Sequence, residues 1–133
     1  FYDSFQFLKS IPHKDVLKHH VNSDIYVSAN TDGNLINTNL EAISSNACMV
    51  IPKPQYKNFI DIETYKLLAN AVVYYKVNDV NDLKNKILYL LNNPQKIKYF
   101  KDKISFTKLE FMRTWDQRVD EEENILSNIL SNN

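Results

Sequence analysis

The chain has 133 residues, 44% apolar, 12% aromatic and 24% charged, which is enough for one hydrophobic core and too little for two ordinary domains. Sixteen basic residues balance sixteen acidic ones, so bulk electrostatics favours neither nucleic acid nor an anionic membrane, and any anion site must be local. One cysteine, Cys48, excludes an internal disulfide or a cysteine-built metal centre and reads as a buried small hydrophobe in a reducing compartment.

The sequence opens on Phe1 and runs directly into a strand-like pattern, so the chain is expected to be a piece of something longer. Residues 5–8 (FQFL) alternate and predict a first strand, and Ser10, Ile11 and Pro12 a turn. A helix is expected over residues 13–21, with Val16, Leu17 and Val21 facing inward. His19 and His20 are adjacent and point to different sides of that helix, so without a partner at ligand spacing they read as surface or half-buried side chains rather than metal ligands. Residues 24–28 (DIYVS) predict the second strand, with Ile25 and Val27 on one face and Tyr26 on the other.

Next comes a stretch built as loop, helix and strand. Gly33 is the single glycine of the chain and stands at the mouth of the helix, where a side chain would obstruct the backbone. Leu35, Ile36, Leu40, Ile43 and Ala47 recur at helical spacing, and Asn37, Thr38 and Glu41 form the other face. A parallel strand feeding a helix start leaves unpaired N–H groups with the positive end of the helix dipole behind them, a geometry suited to phosphate. Glu41, further along the helix, is placed to accept hydrogen bonds from sugar hydroxyls beside the anion. An ordinary βαβ loop fits the same pattern, since neither a G-x-G-x-x-G motif nor a P-loop is present.

Residues 48–51 (CMVI), ended by Pro52, are expected to be a strand covered on both faces. Residues 53–61 read as a loop where ligands are met, 62–69 as a short helix and 71–75 (AVVYY) as the fourth strand. Strand and helix alternate, which predicts an α/β domain with a parallel sheet and helices on both faces. The last third is helical. Asp79 is the N-cap of a helix carrying Val80, Leu83, Ile87, Leu90 and Leu91, and Asn93-Pro94 ends it and starts another with Ile97, Phe100 and Ile104 on its face. Thr114 and Gln117 form a capping box for a final helix striped by Val119, Leu126, Ile129 and Leu130, and the acidic run 120–123 is its solvated face.

Taken in order, residues 5–16 (FQFLKSIPHKDV), 23–30 (SDIYVSAN), 32–52 (DGNLINTNLEAISSNACMVIP), 70–100 (NAVVYYKVNDVNDLKNKILYLLNNPQKIKYF) and 114–119 (TWDQRV) resemble the carboxyl-terminal, donor-binding half of retaining GT-B glycosyltransferases of the large group-1 family. The resemblance covers nearly the whole chain and lies in the order and spacing of the pieces. It implies an incomplete, N-terminally truncated GT-B C-terminal domain over residues 1–133, a Rossmann-like parallel sheet with a helical C-terminus. It also implies a nucleotide-sugar donor, such as a UDP- or GDP-sugar, as substrate, with no separate cofactor and no bound metal.

Family members carry two glutamates separated by seven residues. The second holds the ribose hydroxyls, and Glu41, followed by Ala42, matches it. Strict spacing puts the first at Gly33; the nearest acid is Asp32, one residue further away, and it is the implied contact to the donor sugar. Gly33, Asn34, Leu35 and Ile36 correspond to the loop whose amides hold the diphosphate, with Asn37 and Thr38 beside them, and Ser10, Ile11 and Pro12 to the turn that meets the base through its backbone. A basic phosphate clamp and the domain binding a glycan or lipid-linked acceptor would lie upstream, so the chain alone is expected to be inactive. The resemblance also implies a cytoplasmic setting, with peripheral association of the intact protein at the inner face of a membrane. A GT-B epimerase or hydrolase of a nucleotide-sugar, and a non-catalytic interaction module on the same fold, remain as alternatives.

Overall fold

Cys48–Pro52 is buried at every position, and helices pack against both of its faces. The computed structural model describes residues 4–31, 36–54 and 62–131. In chain order these form α1 (His13–Asn22), β1 (Ile25–Val27), α2 (Asn37–Ser44), β2 (Cys48–Pro52), α3 (Ile62–Leu68), β3 (Val73–Tyr75), α4 (Val80–Leu91), α5 (Pro94–Phe111) and α6 (Trp115–Ser131). Among the described residues the sheet has three strands, in the order β1-β2-β3. Both pairings are parallel, with Ile25 opposite Cys48 and Val50 opposite Val73.

Side chains of a strand alternate between faces, so β2 builds two cores at once. Met49 and Ile51 join Ala42 and Ile43 of α2, Leu68 of α3 and Ile104 of α5. Cys48 and Val50 join Val73, Tyr75 and Leu90, with Leu83, Ile97 and Phe100 packed against them. Helices therefore cover both faces, as the apolar run predicted, and α5 contributes to both cores. Each fully buried aliphatic side chain contributes about 1.5–3 kcal/mol relative to exposure.

Turn chemistry fixes how α2 delivers the chain to β2. Asn46 takes φ 57°, its N–H donates to the Ile43 carbonyl at 3.0 Å, and Ala47 N–H donates to the Ala42 carbonyl at 2.9 Å. This is the Schellman arrangement, with asparagine in the left-handed position that glycine usually takes. At the start of α4 the Asp79 carboxylate accepts from Asp82 N–H at 2.9 Å. The predicted capping box of α6 is present in both directions: Thr114 N–H donates to Gln117 Oε1 at 2.9 Å, and Gln117 N–H to Thr114 Oγ1 at 3.2 Å.

Several expectations need correction. Residues 5–8 form no strand; Phe7 is 90% exposed, and its ring stacks on that of Phe5 at 6.5 Å instead of entering a core. Alternation alone cannot hold a strand that has no ladder partner, and β1 is left at the sheet edge. For the same reason Leu17 and Val21 do not face inward: α1 buries none of its residues, because among the described residues no strand lies beyond β1 for it to cover. The expected fourth strand is the third and begins at Val73 rather than 71. The helix opening at the glycine loop begins at Asn37 with Ile36 as its cap, and its buried face is Asn39, Ala42 and Ile43. Val80 and Leu91 of α4 and the whole stripe of α6 are exposed. Arg113 and Arg118 pair with Glu121 and Glu122 on α6, in keeping with a solvated acidic face.

Cys48 is fully buried, and burial pushes its thiol up from 9.0 to about 11, against the opposing charge of Lys101. A thiol raised in this way favours the fold below its ordinary value. That contribution is lost as the pH climbs from 9.0 toward about 11. Two results are expected: thiol reagents leave the native protein unmodified at pH 8, and denaturant-measured stability falls between pH 9 and 11. Tyr75, also raised by burial, adds a fall in the same direction. A Cys48→Ala variant isolates the cysteine part, since it should show a shallower slope; an unchanged slope removes the thiol from the explanation.

Candidate functional site at the carboxyl edge of the sheet

In a parallel sheet the loops leaving the strands' carboxyl ends are where ligands are met, because the following helices begin there. At the end of β1 the chain passes through Ser28, Ala29 and Asn30, and α2 begins close by. A shallow, open groove of about 570 Å³ lies here, walled by these residues, by Ile36 and Thr38 of the α2 start, by His19 and His20 of α1, and by Leu8 and Ile11. Its floor is anchored. Ser28 N–H donates to the Val50 carbonyl at 3.0 Å, and the Tyr75 hydroxyl reaches from β3 to donate to the Ser28 carbonyl at 3.0 Å.

Ile36 offers no side-chain bond to the first-turn amides of α2, and the first turn contains no acidic residue. Neither Ile36 nor an acidic residue of the first turn therefore compensates the positive end of the helix. Of the predicted residues, Ile11, Ile36 and Thr38 line the groove. Asn37 is the exposed first residue of α2, while Ser10 and Pro12 are exposed on either side of Ile11. Asp32, Gly33, Asn34 and Leu35 lie outside the described residues, as do 55–61 of the expected ligand-facing loop.

Glu41 lies one turn beyond Thr38 and has company that the sequence did not announce. Its Oε1 is 2.8 Å from His13 Nε2 at the start of α1, and its Oε2 is 3.9 Å from His20 Nε2. The His20 ring meets Tyr26 edge-on, centroids 5.2 Å apart, and the Tyr26 hydroxyl donates to Asn39 Oδ1 at 2.8 Å. His13, His20, Tyr26 and Asn39 were all missed. The available signal was the seven-residue spacing of His13 and His20, two helical turns, which puts both on one side of α1. Their acidic partner comes from a different helix, 28 residues away from His13, and no local pattern announces such a meeting. Among the described residues no group of three His, Cys, Asp or Glu side chains is disposed to hold a metal ion.

Compared with protein-family models, curated proteins and solved structures, the chain finds no match in any of the three. Among the described residues no helix is long and apolar enough to cross a membrane. The class that fold and groove define is thus a mixed α/β domain with a small parallel sheet and an open groove at its carboxyl edge.

Proposed function

We propose that this chain is the nucleotide-sugar-binding part of a retaining glycosyltransferase of the GT-B, group-1 kind. The intact enzyme would move a sugar from a UDP- or GDP-sugar to a glycan or lipid-linked acceptor in polysaccharide, lipopolysaccharide or glycoconjugate synthesis. The observation that carries this reading is Glu41. A half-buried carboxylate stands one turn into a helix whose cap residue, Ile36, makes no side-chain bond to the first-turn amides, at the carboxyl edge of a parallel sheet, where a diphosphate and a ribose can be met together. The three-stranded parallel sheet with helices on both faces is compatible with a Rossmann-like domain, and on this reading it is the incomplete donor half of the enzyme.

In this proposal, amides at the start of α2 hold the diphosphate, and Glu41 accepts from the ribose hydroxyls. The backbone around Ser10, Ile11 and Pro12 meets the base, and Asp32 reaches toward the donor sugar. The helix dipole and the loop amides stabilise charge on the departing nucleoside diphosphate, which is how fixed dipoles speed such a transfer. Acceptor binding and the basic clamp belong to parts outside this chain, which alone is expected to bind without turning over. The setting is cytoplasmic, at the inner face of a membrane.

The test is an amide NMR titration with UDP and then GDP. The Gly33 resonance, unrivalled in this sequence, and that of Glu41 are expected to move saturably with one of them. Silence with both nucleotides in a well-folded sample overturns the reading in favour of an interaction module.

A further inference from the structure

We propose that the two oxygens of Glu41 have separate jobs, assigned by His13 and His20 acting as positioning residues: Oε1 is the ligand oxygen, covered in the free protein by a displaceable His13, and Oε2 is the anchor oxygen, held by His20 when ligand binds. This rests on the nucleotide-sugar reading of Glu41 and deepens it, since it assigns the two carboxylate oxygens to different partners.

The asymmetry is in the geometry. His13 stands at the solvent end, with its side chain 88% exposed, against 25% for Glu41. Its Nε2 is 2.8 Å from Oε1. An exposed pair of this kind is weak and readily exchanged for another partner. His20 is the opposite case. Its side chain is only 11% exposed, and its Nε2 is buried without a hydrogen-bond partner. That atom lies 3.9 Å from Oε2, roughly 1 Å beyond an ordinary N–H···O bond.

A buried polar atom without a partner calls for an explanation, and the surroundings of His20 supply one. The ring is seated against Tyr26, and Tyr26 is tied by its hydroxyl to Asn39, which is almost fully buried. The imidazole is therefore fixed from behind, and the movable partner is the carboxylate. When two neighbouring hydroxyls take Oε1 from His13, the carboxylate is free to turn. Oε2 then closes on His20 Nε2, whose N–H donates to it. Ligand binding thus completes a hydrogen bond that the free protein lacks, while His13 competes with the ligand. The two histidines, two turns apart on one helix, act with opposite sign.

The experiment measures affinity for UDP and GDP by calorimetry in the wild type, His13→Ala, His20→Phe and His20→Gln, with the 2′,3′-dideoxy form of the better nucleotide as a second probe. His13→Ala is expected to bind more tightly than the wild type, by up to about fivefold, the weight of an exposed pair. His20→Phe, which keeps a ring against Tyr26 but has no donor, is expected to bind about tenfold more weakly, and His20→Gln to recover most of that loss. None of the three histidine substitutions should alter affinity for the dideoxy probe, an indifference that a merely structural role would not produce. If His13→Ala leaves binding unchanged or weakens it, or if the His20→Phe loss persists with the dideoxy probe, this assignment is overturned while the nucleotide site stands. Should His20→Phe unfold, His13→Ala decides alone: tighter binding supports the assignment, and unchanged or weaker binding overturns it. If the wild type binds neither nucleotide, the donor-site reading falls and this inference with it.

Discussion

Replacing Glu41 by glutamine is expected to weaken nucleotide binding by about 1–3 kcal/mol, ~5- to 150-fold in affinity, because charge-assisted hydrogen bonds to the ribose hydroxyls are replaced by neutral ones. The substitution keeps the shape and length of the side chain, so the packing of α1 against α2 is disturbed little. Its pair with His13 is exposed on one side, and losing it costs stability of the order of 0–1 kcal/mol. The affinity effect therefore exceeds the stability effect, and calorimetry on the folded variant separates them. An unchanged affinity removes Glu41 from the site. If the substitution also leaves binding to a protein partner untouched, an interaction module becomes the better account.

The largest effect on stability is expected at Ile51→Ala. Ile51 is fully buried on the central strand, among side chains from three helices. Truncation there removes apolar contact and leaves a cavity that neighbours fixed in α2, α3 and α5 cannot fill, at a cost of about 2–5 kcal/mol. Against a typical total of roughly 5–15 kcal/mol, that is a large fraction. Urea denaturation followed by circular dichroism reads it as a lower midpoint at unchanged slope. A loss below about 1 kcal/mol would show that the site collapses around the smaller side chain and that this core is loosely packed.

Legibility followed the range of the forces involved. β2 could be read because an unbroken apolar run ended by proline has few other uses. The starts of α4, α5 and α6 could be read because Asp79, Pro94 and the Thr114–Gln117 pair act within one turn of themselves. The segment 5–8 was misread because its alternation is a local property, whereas a strand exists only with a partner. The inward face given to Leu17 and Val21 failed with it. In the candidate site, Ile36 and Thr38 follow from their position around a helix start and line the groove together with Ile11, while Glu41 stands further along the same helix against His13. The histidines could not be found in this way, because His13 meets Glu41 only after two helices have packed side by side.

The double-sided burial of β2 carries a cost in specification. A strand with one wet face remembers its pairing, since a slip by one residue would turn apolar groups into water. β2 has no wet face, so a slip would exchange one apolar side chain for another, and hydrophobicity alone leaves the alignment nearly degenerate. Polar atoms must supply the missing information. The Tyr75 hydroxyl meets the Ser28 carbonyl across the sheet, and Lys53 N–H meets the Tyr75 carbonyl at 2.8 Å. Between them Pro52, which has no N–H to give, cannot stand where the ladder requires a donor. Ser28, Pro52, Lys53 and Tyr75 act as the index marks of the sheet and lie at the same edge as the groove, so the contacts that set the alignment of the strands also set the floor on which a ligand would rest.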